Sequence, residues 1–318
     1  MKERLSANIA CVGMWLAFEL GRLAVRILPR RWLFFLAEAT ADTGFHLFRT
    51  FRRRSIANLS LALGERLEAQ EAGEVVRRSL RNFFRDFAEL ALALESSPEK
   101  IRREIPLRGR EHLEAALARG KGVIAMSAHL GNFFLVGSRL AADGFSNYVL
   151  VNQTQNRGFA ELMDHYRLKI WQKTIHARPR RQASQELVQV LRRNEVAIVI
   201  ADEYRAGSGI DVPFFGLAVL ARRGPATLAL RTGAAVVPMY MVRDSAGSLT
   251  LVIEPEMELV RSGATQAEVK ENTLRMTQWL ERVVRAYPDQ WNWMNIRWQE
   301  TAPGALAEKK PAAKESMA

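Results

Sequence analysis

His129 is the residue of this chain best placed to move a proton. It stands in SAHLGNFF, directly after GVIAMSA (122–128), an apolar run with the length and composition of a buried strand. In open α/β sheets, ligands bind beyond the carboxyl ends of the strands. An imidazole at such a position titrates near working pH, as a general base must. Gly131 permits close backbone approach, and Asn132 offers an amide. The plain alternative is that the histidine caps the helix that follows. A second apolar run, VAIVIA (196–201), ends in Asp202 and Glu203, with Arg205 just beyond. If the two runs neighbour each other in a parallel sheet, both acids share an edge with His129. Arg222 and Arg223 precede Gly224-Pro225, a helix-start signal. Two cations at a helix N-terminus suit a phosphate; a solvated surface suits them equally well. His165 and His176 lack metal-ligand spacing. Cys11 is the only cysteine, so an intrachain disulfide and a cysteine-rich zinc site are excluded. No metal and no cofactor are expected.

These residues must be positioned by the elements around them. Residues 55–98 read as helical. Strands are expected at 122–128, 147–151, 196–201, 234–242 and 249–255, and helices at 157–171, 182–194, 223–232 and 264–287. Alternating strands and helices imply an α/β sandwich with a largely parallel sheet. From Thr301 the chain is rich in Ala, Lys, Pro and Glu without an apolar face, which reads as a disordered tail (301–318).

Charge narrows the partners. The 318 residues hold 46 Lys and Arg against 34 Asp and Glu, a net +12. Such a balance points to an anionic partner: nucleic acid, an anionic membrane or a phosphorylated substrate. The first 60 residues carry ten of the basic residues and four acids, set among apolar stretches. Residues 9–18 form an apolar run too short to span a bilayer. Glu19, Arg22, Arg26 and Arg30 follow at helical spacing on one face, with Trp15, Leu16, Leu20 and Leu23 largely elsewhere. The expectation is an amphipathic helix lying in a membrane interface, its arginines reaching for head groups. Arg52, Arg53 and Arg54 add a cluster that an anionic leaflet attracts. Nucleic acid is disfavoured, because the charge gathers at amphipathic segments and no nucleic-acid motif is present. No G-x-S-x-G elbow supports a serine esterase.

Three blocks in order, SAHLGNFF, then DEYRAGSGIDVPFFGLAVLARRGPATLALRTGAAVVPMYMVR, then YPDQWNWMNIRW, resemble the bacterial lipid A biosynthesis acyltransferases of the wider lysophospholipid acyltransferase superfamily. The resemblance covers roughly residues 5–300. It implies a glycerolphosphate-acyltransferase-like αβ sandwich, with an amphipathic membrane-anchoring helical segment over 1–55 and an acyltransferase domain over 56–300. It implies transfer of a fatty acyl group from a thioester of acyl-carrier protein or CoA to a hydroxyl of a polar membrane lipid, a lipid A precursor or a related glycolipid. The implied place is the cytoplasmic face of the inner membrane, as a peripheral or singly anchored protein. His129 matches the family base and Asp202 the acidic residue of the strand-end loop. Phe214, Phe215 and Gly216 match a substrate-binding block, Val237-Pro238 a strand block bordering the acyl site, and Trp293, Arg297 and Trp298 the C-terminal block. Asn132, Arg205, Arg222 and Arg223 complete the expected substrate contacts.

Two positions depart from the family pattern. The motif is His, four residues, then an acid; here that place holds Phe134. An orienting acid aims the imidazole and stabilises its protonated form, which a phenyl ring cannot do. Either Asp202 or Glu203 supplies the carboxylate, or His129 works unaided, or the protein binds lipid without transferring acyl groups. Asn295 stands where lipid A members commonly carry a histidine.

Overall fold

A computed structural model describes residues 2–64, 69–152, 157–204, 209–263 and 265–294. Arg205, Asn295, Arg297, Trp298 and the expected tail lie outside these residues. Four helices open the chain: α1 (Lys2–Ile27), α2 (Arg30–Leu47), α3 (Arg49–Leu63) and α4 (Ala69–Leu94). Pro29, with its fixed φ and no N–H, separates α1 from α2. The expected domain boundary at residue 55 falls inside α3.

The body alternates strands and helices: α5 (Pro98–Glu104), β1 (Leu107–Arg108), α6 (Arg110–Leu117), β2 (Val123–Ser127), α7 (Val136–Ala142), β3 (Asn147–Val151), α8 (Arg157–Lys169), β4 (Lys173–His176), α9 (Arg180–Arg192) and β5 (Val196–Ile200). A hairpin follows, β6 (Ile210–Phe214) and β7 (Leu217–Ala221). Then come α10 (Gly224–Thr232), β8 (Ala235–Arg243), β9 (Leu249–Ile253) and α11 (Gln266–Ala286). Thr265 and Glu268 start α11 with a reciprocal capping box.

Seven strands form one sheet in the order β1-β9-β8-β2-β5-β3-β4. From β8 to β4 every pairing is parallel; β9 runs antiparallel to β8. The expected α/β class with a largely parallel sheet is what the chain adopts. Both faces are covered, so β2, β5 and β8 read as near-continuous apolar runs. Alternate residues of β5 serve opposite faces: Ala197 and Val199 pack with α9, α10 and α11, whereas Val196 and Ile198 pack with α5, α6 and α7.

The N-terminal helices differ from expectation in the direction they face. The charged stripe of α1 is tied by ion pairs to the body of the protein. Arg22 and Arg26 pair with Glu95 at 2.6 and 2.7 Å, and Glu19 accepts the Tyr166 hydroxyl at 2.8 Å. Arg30 pairs with Glu104. The acids that hold these arginines come from Glu95, just past α4, and from α5, while Arg26 and Arg30 stay exposed. The apolar stripe turns outward: Val12, Trp15, Leu16, Leu20, Leu23 and Ile27 are exposed, Leu20 by 63%. Trp32, Phe35, Leu36, Phe48 and Phe51 continue that surface over α2 and α3. Among the described residues, no helix is long and apolar enough to cross a membrane.

Candidate active site

β2 and β5 pair in parallel, with Ser127 opposite Ile200. The residues just beyond their carboxyl ends therefore meet. His129 Nδ1 lies 2.8 Å from Asp202 Oδ1, and the His129 backbone N–H donates to Asp202 Oδ2 at 2.9 Å. The Trp291 indole N–H donates to that same Oδ2 at 2.8 Å. The Asp202 side chain is almost wholly buried, at 2% exposure, while His129 keeps 22%. A buried carboxylate needs such donors to stay charged. Burial alone would raise the Asp202 pKa; His129 and the Trp291 and backbone donors outweigh it and hold the group below its ordinary value. Burial would lower the His129 pKa, but the charge and hydrogen bond of Asp202 turn the net shift upward. With Nδ1–H donated to Asp202, Nε2 is the nitrogen left to accept a proton.

Local structure clamps the histidine loop from two sides. Gly131 has φ +54, and a Cβ there would stand 1.8 Å from the Met241 carbonyl oxygen, so only glycine fits. Its N–H donates to the Gln290 carbonyl at 2.8 Å, and Asn292 N–H donates to the His129 carbonyl at 3.2 Å. On the other side Asn132 is fully buried, donating to Glu89 at 2.7 Å. Arg243 joins Glu89 and Asp86 in the same buried cluster at 2.9 and 2.8 Å. Burial pushes the Asp86 carboxyl well above its usual range, against the pull of Arg243. Asn132 thus braces the loop against α4 and does not face the cleft.

His129 lines a cleft of about 1010 Å³. Its lining draws on both faces of the sheet, and the two sets of residues are called its limbs. One runs beside α4, α7 and α8, with Leu90, Phe134, Val149, Met163, Ile170 and Ile198 in its wall. Phe134 stacks at 4.1 Å on Phe133, whose edge meets the His129 ring at 4.8 Å. The position that breaks the motif is therefore part of an apolar wall. The other limb runs between α9 and α10, past Arg180, Leu187, Arg223 and Leu228. Glu203 and Arg222 also line the cleft; they pair with each other at 2.9 Å, and Asn152 donates to Glu203 at 2.6 Å.

The aromatic block lies elsewhere. β6 and β7 are joined by Phe215 and Gly216, with φ +53 and +74, the signature of a tight hairpin turn of the primed type. Phe214 is fully buried against Tyr204 and Trp291. Phe215 takes the Arg285 guanidinium on its ring at 4.7 Å, and its N–H donates to Glu281. None of the three lines the cleft. Sequence reasoning gave Trp291 no role in the site and so missed it as a partner of Asp202. The available signal was its indole N–H, which must find an acceptor when the ring is buried.

The family model for bacterial lipid A biosynthesis acyltransferase matches residues 2–300. A phosphatidylinositol mannoside acyltransferase of Mycobacterium tuberculosis (strain CDC 1551 / Oshkosh) is 24% identical over 287 residues, covering 89% of this chain and 87% of the relative. The protein of that name in Mycolicibacterium smegmatis is 24% identical over 245 residues, 76% of this chain and 77% of the relative. The lipid A biosynthesis palmitoleoyltransferase of Escherichia coli (strain K12) is 24% identical over 259 residues, 80% and 81% of the two chains.

Proposed function

The chain belongs to the bacterial lipid A biosynthesis acyltransferase family and is an O-acyltransferase of lipid biosynthesis, and on that premise we propose that His129 and Asp202 carry the transfer of a fatty acyl group from a thioester to a hydroxyl of a polar membrane lipid. The observation that carries this reading is the 2.8 Å contact between His129 Nδ1 and Asp202 Oδ1 at an apolar cleft. The acceptor hydroxyl hydrogen-bonds His129 Nε2. Its oxygen attacks the thioester carbonyl carbon as its proton passes to Nε2. The tetrahedral intermediate collapses with cleavage of the C–S bond, and the imidazolium returns the proton to the departing thiolate. Asp202 stays ionised throughout, fixing the tautomer and stabilising the imidazolium. The missing motif acid at Phe134 is then replaced from β5, and no covalent acyl-enzyme is required.

The apolar limb suits the acyl chain, because a chain seated there removes methylene surface from water. Glu203 and Arg222 suit the polar part of a substrate, and Arg205, outside the described residues, is proposed from the sequence for the same role. The exposed apolar stripe of α1 to α3, flanked by Arg31, Arg49 and Arg53, suits the surface of an anionic membrane. Membrane association agrees with the relatives' lipid substrates. Residues 1–55 would be its membrane-facing segment, on the cytoplasmic face of the inner membrane, and 56–300 the transferase. α8 supports that arrangement, since Tyr166 lines the cleft and is tied to Glu19 of α1. A lipid A precursor or another glycolipid is the proposed acceptor, and acyl-carrier protein or CoA the proposed carrier of the donor.

The test is transfer of a labelled acyl group from acyl-CoA and from acyl-carrier protein into a panel of polar lipids, with His129→Ala alongside. Histidine-dependent label in one lipid class is the expected outcome and names the acceptor and the donor. Lipid binding without label from either donor would contradict the proposal and favour a non-catalytic lipid binder.

A further inference from the structure

The limb between α9 and α10 differs from the rest of the cleft in its charge. Arg180 and Ser184 stand one turn apart on α9 and present one stripe. Arg223, Thr227 and Arg231 stand at four-residue intervals along α10 and present another. All five line the cleft, and α9 packs against α10. Arg180, Arg223 and Arg231 are exposed, and none has an acidic partner among the described residues. The other two arginines of the cleft lining are compensated, Arg167 by Asp164 at 3.1 Å and Arg222 by Glu203 at 2.9 Å. Thr227 Oγ1 and Arg222 Nε are buried atoms of the same limb without a hydrogen-bond partner. Arg231 stands eight positions after Arg223, a rise of roughly 12 Å at about 1.5 Å per position. Cations spread over that distance exceed the reach of one phosphate.

We propose that the groove between α9 and α10 is a binding seat for a ligand carrying two or more phosphates, held by Arg180, Arg223 and Arg231 with Thr227 as an additional donor. Guanidinium groups bind phosphate oxygens in paired, charge-assisted hydrogen bonds. The helix N-terminus beside Arg223 adds a favourable field for anions. The groove and His129 line one continuous cleft, so a ligand seated here shares the cleft with the proton-transfer site. Two sources supply this chemistry: the nucleotide of a CoA thioester donor, or the phosphorylated sugar headgroup of the acceptor. The seat extends the transfer reading of the cleft and rests on it only for the identity of the ligand.

The experiment measures binding without turnover, in full-length His129→Ala protein, by calorimetry with two soluble probes, CoA and glucose 1,6-bisphosphate. Soluble probes leave the membrane-facing stripe out of the measurement. The comparison is with the same protein carrying Arg180→Gln and Arg231→Gln, and with an Arg103→Gln control on α5, outside the cleft. The expected result is binding of one probe that weakens about tenfold or more in the double variant, the loss appropriate to two charged hydrogen bonds. The control is unaffected and the melting temperature stays unchanged. Loss for CoA assigns the seat to the donor; loss for the sugar bisphosphate assigns it to the acceptor. A parent protein that binds neither probe, or a double variant that binds as the parent does, overturns the proposal. Because no transfer is measured, the seat and the transfer reading fail separately.

Discussion

The Trp291 indole N–H and the His129 backbone N–H converge on one oxygen of Asp202, at 2.8 and 2.9 Å, leaving the other oxygen to the imidazole. The carboxylate is thereby aimed as well as kept charged. Trp291 also pairs with Leu130 through an isolated bridge, so the C-terminal segment fixes the histidine loop and its acid together. Trp291→Phe keeps most of the packing and removes the donor. It should lower kcat about tenfold or more. It should also destabilise the fold by about 1.5–3 kcal/mol, the range for a hydrogen bond to a charged group. Steady-state kinetics and denaturant melts check both; a variant equal to wild type in kcat would remove Trp291 from the account.

The pH dependence follows from the upward shift of His129 beyond the ordinary imidazole value of 6.5. A base acts when neutral, so kcat/KM should fall as pH drops through the raised value, and the acid limb should lie above 6.5. Asp202→Asn removes the charge that opposes burial. The limb should then move to lower pH while the plateau rate falls. For stability the sign is reversed. The fold favours the protonated imidazole, so that contribution is fully present below about 6.5 and is lost as pH rises through the folded value. Rate profiles and thermal melts across this window check the two signs together.

The strands and the histidine–acid edge were legible because buried parallel strands leave unmistakable apolar runs. Residues 122–128 and 196–201 put His129 and Asp202 on one edge provided the two strands are parallel neighbours, and they are. β4 was not legible: Lys173–His176 is a short, polar edge strand with no apolar alternation. The β6–β7 hairpin was not among the expected strands, because Asp211, Pro213 and Gly216 interrupt any strand-like run. Asn132 and Phe214 were read toward substrate because they adjoin the motifs. Their direction depends on α4 and on Trp291, which are distant in sequence. The partners of the α1 charges were equally hidden, since Glu95 and Tyr166 are distant in sequence.

Phe134 occupies the place of the motif acid and packs against Phe133 and Phe87, at 4.1 and 5.4 Å. Phe134→Glu would put a carboxylate into that wall while Asp202 already holds Nδ1. The expected outcome is no gain in kcat, and stability lower by about 1–3 kcal/mol from lost packing and a poorly solvated polar group. A rate increase in the transfer assay would show that the acid at this position is missed.

The outward apolar stripe makes a prediction about membranes. Leu20→Glu with Leu23→Glu changes two residues that are 63% and 51% exposed, so the fold should be little affected. Loss of two leucine contacts, each about 1.5–3 kcal/mol when fully buried, should reduce co-sedimentation with anionic vesicles at least tenfold. Transfer to a water-soluble acceptor analogue should persist. Undiminished sedimentation would show that membranes meet another surface.

The most direct test compares His129→Ala, Asp202→Asn and wild type in transfer from the donor that the acceptor panel identifies. A base contributes about 10²–10⁴ in rate, and loss of its orienting acid costs up to about 10⁴. The account predicts losses of at least about a hundredfold in both variants, with melting temperatures showing that each is folded. An Asp202→Asn enzyme that transfers at the wild-type rate would contradict the claim that this strand-end carboxylate stands in for the acid missing at Phe134.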